Sequence, residues 1–102
     1  MANLRRLQDE VAAYDGKYGW EGDKECHITL HMMEEVGEVA RQVLRLEGYK
    51  KEPYDKKNLS EEIIDLLYLT VKLANKADID LEKEWVASFA RYEKKTSRKE
   101  KK

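Results

Sequence analysis

Apolar residues recur along the chain at intervals of three and four rather than in single alternation, which is the spacing of helices packed on one side. Four helices and no sheet follow from that pattern. The first runs from Asn3 to about Tyr14, with Leu4, Leu7 and Val11 on one face, and the nine residues from Asp15 to Asp23 read as a loop rich in glycine. A second helix spans about Cys26 to Leu46 and stops ahead of Gly48. Tyr49 to Lys57 is a polar connection holding the only proline, Pro53. After it, Asn58 is expected to cap a third helix with Glu61 as its capping-box partner, and this helix reaches about Lys76. Asp80 then caps a fourth, in which Leu81, Trp85 and Phe89 form an apolar stripe.

On a wheel of about 100° per residue the second helix collects Ile28, Met32, Val36, Val39, Ala40, Val43 and Leu46 in one arc, with Met33 and Leu44 at its edge. The third collects Ile63, Leu66, Leu67, Thr70, Leu73 and Ala74. These two arcs are the expected core. Glu35 and Glu38 border the first arc, and Glu62 and Asp65 border the second. Each helix therefore carries a pair of carboxylates one turn apart, and two such helices side by side aim four carboxylates at a common point.

Composition narrows what those acids can be for. With 102 residues, 41% apolar and 40% charged, the chain has the content of one soluble domain with a heavily charged shell. We expect a helical domain over 1–92 and a basic, disordered tail over 93–102. That tail skews the charge: residues 91–102 carry a balance of +5 and the first ninety −6, within a net charge of −1. An acidic body lacks the concentrated Lys and Arg that nucleic acid requires, so nucleic-acid binding is not expected. There is no apolar leader and no stretch long enough for a membrane span, which makes the cytoplasm the expected compartment and membrane association unexpected. One cysteine, Cys26, excludes an intramolecular disulfide and a Cys-rich zinc site.

Four carboxylates at a core edge repel one another, and a divalent cation relieves that repulsion. An all-oxygen donor set suits Mg²⁺, with Mn²⁺ as the alternative, better than Zn²⁺. The competing explanation is that glutamates on charged helices serve solvation and pair with Lys or Arg. Gly37 argues for a site, because a glycine inside a helix costs about 1 kcal/mol relative to alanine and commonly marks the close approach of a backbone or ligand.

Taken in order, Glu34-Glu-Val-Gly-Glu-Val-Ala, Glu61-Glu-Ile-Ile-Asp-Leu-Leu-Tyr and Leu73-Ala-Asn-Lys-Ala-Asp-Ile-Asp-Leu-Glu resemble the MazG-type, all-α nucleoside triphosphate pyrophosphohydrolases across residues 30–83. That family's E-x-x-E…E-x-x-D signature falls here on Glu35, Glu38, Glu62 and Asp65. The resemblance implies a four-helix bundle assembled as a homo-oligomer, Mg²⁺ held by those four residues, and cleavage of a nucleoside triphosphate to monophosphate and pyrophosphate in nucleotide-pool housecleaning. One of the four acids, or Glu34 beside them, would act as general base. It also implies a homodimer or homotetramer in which neighbouring subunits help close the pocket. Wide apolar arcs on both long helices point the same way, since four helices of this size bury only about 60–65% of the unfolded chain's surface.

Further substrate-binding candidates are Lys72, on the same side of the third helix as Glu62 and Asp65, and Asn75, which the family pattern often has as Asn or Asp. Lys72, like Lys76 beyond it, is placed to reach a phosphate oxygen. Trp20, with Tyr18, is a candidate platform for stacking on a base. His27 and His31 stand one turn apart beside the Glu35 column, where His31 is expected to line the pocket and to exchange protons rather than to complete a zinc site. Two other readings compete. Phosphoribosyl-ATP pyrophosphohydrolases share acid-rich helix pairs, but their third helix has Ala-Asp-Leu-Leu-Tyr-His where this chain has Ile64-Asp-Leu-Leu-Tyr-Leu. A non-catalytic helical adaptor would carry the same acids merely as solvating charge. A carboxylate-bridged di-iron bundle fails because no E-x-x-H occurs.

Overall fold

A computed structural model describes residues 3–100, all of whose regular structure is helical: α1 (Leu4–Tyr18), α2 (Glu25–Leu46), α3 (Lys56–Lys76) and α4 (Leu81–Glu100). Asn3 caps α1 by accepting from the Arg6 backbone N–H. This helix runs a full turn beyond Tyr14 because the left-handed residue that closes it is Gly19, at φ 73°, whose N–H returns to the carbonyls of Asp15 and Gly16. Asp15 and Gly16, read from sequence as loop, are therefore helical. Similarly, α3 starts two residues before Asn58. Asp55 is its cap, with its side chain accepting from the Asn58 N–H at 3.2 Å, so Asn58 lies inside the first turn. Asp80 caps α4 as expected, accepting from the Lys83 N–H at 3.2 Å.

Helix α4 continues through Glu100, where the sequence reading places a disordered tail from residue 93. Residues 93–100 contain neither glycine nor proline and are mostly Lys, Glu and Arg, good helix formers that prolong a helix already begun. The last two residues of that expected tail lie outside the described residues.

The α2–α3 hairpin is the centre of the chain; α1 packs on α3, and α4 packs on α1. Its core is small. Ile28, Leu69, Val71 and Ala74 are the buried apolar residues, accompanied by three buried polar ones, Asp15, Gln42 and Lys72. The expected inward arcs are only partly inward. Along α2 the protected positions are Ile28, Met32, Glu35, Glu38, Val39, Gln42 and Arg45, a helical stripe that is polar at four places. Val36, Ala40, Val43 and Leu46 are exposed, as are Ile63, Leu67 and Thr70 on α3. Within one chain, α2 and α3 thus meet through a stripe containing the acids, and much of the apolar arc stays outside. Buried Gln42 earns its place by accepting from the Asp55 N–H at 3.1 Å, which fixes the start of α3 against α2.

Candidate active site

Three acids of the signature meet where α2 faces α3. One carboxylate oxygen from each of Glu35, Glu62 and Asp65 lies within 4.8 Å of the others. Glu35 is well protected, with a side chain 15% exposed. Its Oε2 is enclosed without a hydrogen-bond partner among the described residues, and its Oε1 lies 3.9 Å from His31 Nε2. Glu62 carries the consequence of this crowding. A side-chain hydrogen bond with Glu35 is the largest cause, followed by burial and the charges of Glu35, Glu38 and Asp65, and together they raise its pKa to about 7. Glu38 stands beside the group rather than in it, paired with Arg41 at 3.3 Å yet close enough for its charge to act on Glu62. Glu34 is exposed on α2 and is not brought into the cluster.

Gly37, between Glu35 and Glu38, does not mark a close approach: a Cβ built there meets nothing within 4 Å. That side of α2 is open within the single chain, contrary to the close approach expected at this glycine.

The cluster adjoins a cavity of about 540 Å³, a volume typical of small-molecule sites. Glu35, Asp65 and His31 line it together with Trp20, Tyr68 and Lys72; His27 also contributes. Seven residues separate Asp65 from Lys72 on one face of α3, about 10 Å along the axis. The two groups mark different parts of one pocket. Lys72 is 4% exposed and donates to Asp23 Oδ2 at 2.6 Å, with Asp15 Oδ1 at 3.8 Å. Hydrogen bonding to Lys72 keeps Asp23 below its usual carboxyl range. The Tyr68 hydroxyl donates to Asp15, and burial, then that bond, push Tyr68 well above the usual phenol range. Lys76 donates to the Glu21 carbonyl at 3.0 Å, so two α3 lysines hold the segment between α1 and α2.

Trp20 lies at this end, stacked on Tyr18 at 5.3 Å between centroids, with the Lys72 ammonium 5.9 Å from its ring. Asn75 is placed differently. It accepts from Gln8 Nε2 at 2.9 Å and donates to the Gln8 carbonyl at 3.1 Å. Gln8 in turn bonds Ile79 O and the Leu81 N–H, so Asn75 ties α1 to the α3–α4 corner and does not line the cavity. Asp15, Asp23 and Tyr68 are pocket-end residues that sequence reasoning missed. Tyr68 had a signal, since it falls one turn from both Asp65 and Lys72; Asp15 and Asp23, read as loop acids, had none.

Fold and site together define an all-α protein with a carboxylate cluster suited to a divalent cation at the edge of an aromatic-walled pocket. The family description "MazG nucleotide pyrophosphohydrolase domain" matches residues 24–102. The uncharacterized protein YpjD of Bacillus subtilis (strain 168) is 37% identical over 81 residues, covering 78% of this chain and 73% of that protein. Among solved structures, a Bacillus-conserved MazG protein described as a nucleotide pyrophosphohydrolase superposes with a TM-score of 0.74 at 26% identity, covering 90% of both chains. YpjD from Bacillus subtilis superposes with a TM-score of 0.75 at 30% identity, covering 90% of this chain and 96% of its own. The chain belongs to the MazG nucleotide pyrophosphohydrolase family, which identifies it as a hydrolase of the all-α type. Among the described residues no helix is long and apolar enough to cross a membrane.

Proposed function

We propose that the protein hydrolyses ribo- or deoxynucleoside triphosphates between the α- and β-phosphates, releasing monophosphate and pyrophosphate, with Mg²⁺ or Mn²⁺ as cofactor. The observation that carries this reading is the approach of Glu35, Glu62 and Asp65 oxygens to within 4.8 Å at the edge of the cavity. An enclosed, unpartnered Glu35 oxygen, and acids crowded closely enough to raise the Glu62 pKa, are a donor set that fits a divalent cation. Glu35, Glu62 and Asp65, with Glu38 beside them, would hold the ion. A divalent cation bound there supplies neutralisation of the triphosphate and a more acidic attacking water.

The chain's own residues account for the rest. Water oxygen adds to the α-phosphorus, the bond from that phosphorus to the bridging oxygen breaks, and pyrophosphate leaves. A carboxylate of the cluster takes the water's proton. His31, 3.9 Å from Glu35, is positioned to pass that proton to solvent. Trp20 and Tyr68 offer aromatic surface to the base. Exposed apolar residues on α2 and α3 support assembly into a homo-oligomer.

A panel of ribo- and deoxynucleoside triphosphates with Mg²⁺, read by chromatography, tests the reading. Monophosphate and pyrophosphate are expected, with turnover lost in EDTA. Orthophosphate and diphosphate as sole products, or full turnover in EDTA, would exclude it. Alanine at Glu35, Glu38, Glu62 or Asp65 is expected to abolish turnover with helix content unchanged, and near-normal turnover of Glu38→Ala would remove Glu38 from the site. A non-catalytic adaptor would show no rise in melting temperature with Mg²⁺ or Mn²⁺.

A further inference from the structure

Lys72 is a buried cation in the pocket wall. An ammonium has three N–H donors, and burial leaves little water to satisfy them. Among the described residues Lys72 donates one hydrogen bond, to Asp23. Asp15 at 3.8 Å is an ion-pair neighbour beyond hydrogen-bond reach, and the Tyr68 and Trp20 rings stand 5.6 and 5.9 Å from the ammonium. Because Lys72 lines the cavity, its unused donors are available to an acceptor entering from outside.

The charge around Lys72 decides what kind of acceptor that is. Asp23 and Asp15 flank the Lys72 ammonium and balance its charge, and the Tyr68 and Trp20 rings stand beside it, so this end of the pocket offers N–H donors on an aromatic wall rather than a free positive charge for phosphate. The phosphates belong at the carboxylate cluster, about 10 Å away along α3, where a cation receives them. What remains for Lys72 is a neutral acceptor, a carbonyl oxygen or ring nitrogen on the base. Asp15 does not line this cavity. It lies behind the wall, 5% exposed, and reaches the pocket only through the Tyr68 hydroxyl and the Lys72 ammonium.

We propose that Lys72 reads the base rather than a phosphate, and that Asp15 is a positioning residue that holds Lys72 and Tyr68 in the wall for that contact. This rests on the nucleotide-hydrolase reading above and departs from the phosphate role that the sequence suggested for Lys72. Without the Asp15 charge, the ammonium has only the more exposed Asp23 to follow and swings outward, while the Tyr68 hydroxyl loses its acceptor.

The test is product binding by calorimetry with Mg²⁺, using AMP, GMP, CMP and UMP in one arm and pyrophosphate in the other. Lys72→Met is expected to weaken the monophosphates that bind wild-type protein by about tenfold and to leave pyrophosphate within about twofold. Asp15→Asn should weaken the same monophosphates by about fivefold, and the double variant should bind no more weakly than Lys72→Met, because Asp15 acts through Lys72. In turnover, both single variants should raise KM with kcat within about threefold. Pyrophosphate weakened as much as monophosphate would make Lys72 a phosphate clamp and overturn the proposal. Unchanged monophosphate affinity would reduce the Lys72–Asp15 pair to a structural ion pair, and additive losses in the double variant would remove the positioning role. If Lys72→Met fails to fold because it strands the Asp15 charge, Asp15→Asn/Lys72→Met, which removes that charge, carries the same comparison. Wild-type protein that turns over triphosphates but binds none of the four monophosphates overturns this inference alone. Monophosphate binding in the expected pattern without any turnover overturns the hydrolase reading alone.

Discussion

Glu62 shows how much one side chain reports about the site around it. Its pKa of about 7, against 4.5 for an ordinary glutamate, means that between those values the folded chain keeps a proton that the unfolded chain has lost. The folded state then binds more protons than the unfolded state, so this group's contribution to stability falls as pH rises from about 4.5 through about 7. In EDTA the melting temperature of the wild-type protein should therefore drop across that window relative to Glu62→Gln, whose amide does not titrate. Saturating Mg²⁺ should reduce the drop, because a cation takes the proton's place and binds more tightly as the proton leaves. Thermal scans at intervals from pH 4.5 to 7.5 check both statements, and parallel curves for wild type and Glu62→Gln would show that Glu62 is not the proton holder.

At the scale of elements, the two acid-bearing helices were the most legible part of the chain, and their burial pattern the least. Spacing places α2 and α3 to within three residues and puts Glu35, Glu62 and Asp65 where two faces meet, because an i, i+3 pair depends only on helix geometry. Which arc turns inward depends on what covers it, and the hydropathy wheel takes all apolar residues as buried by the same chain. Here α2 instead protects Gln42 and Arg45 while Val36, Val43 and Leu46 stay exposed. Asp15 was hidden for a similar reason: a glycine following it reads as a stop, although the left-handed closing position belongs to Gly19. Gly37 sits in open surroundings instead of at a close approach, and this yields a prediction. Gly37→Ala should raise stability by about 1 kcal/mol through helix propensity alone, measured by urea unfolding. A loss instead would mean that another backbone fills that space in solution.

The whole molecule is expanded for its length. Its radius of gyration is 17.1 Å, whereas a compact domain of this size has about 13 Å. The excess follows from the way the elements are arranged, with α4 packed mainly against α1 and carrying half-exposed Trp85, Phe89 and Tyr92, the first two stacked and the third edge-on to Phe89. Exposed Val36, Met33 and Leu46 on α2 and Ile63, Ile64 and Leu67 on α3 leave large apolar side chains on the faces of the two central helices, the kind of surface that marks an interaction site. Two copies meeting through these faces would bury what one chain leaves open, and a two-fold contact is the simplest way to do so. Light scattering at low micromolar concentration should accordingly give twice or four times the 12.0 kDa chain mass. Because the contact is apolar, the assembly should persist when salt is raised to about 1 M, where surface charge pairs are screened. A carboxylate introduced by Ile64→Glu should dissociate it and lower the melting temperature, since that charge cannot be buried unpaired. A 12.0 kDa mass for fully active wild-type protein would instead assign the exposed face to some other cover than a second copy.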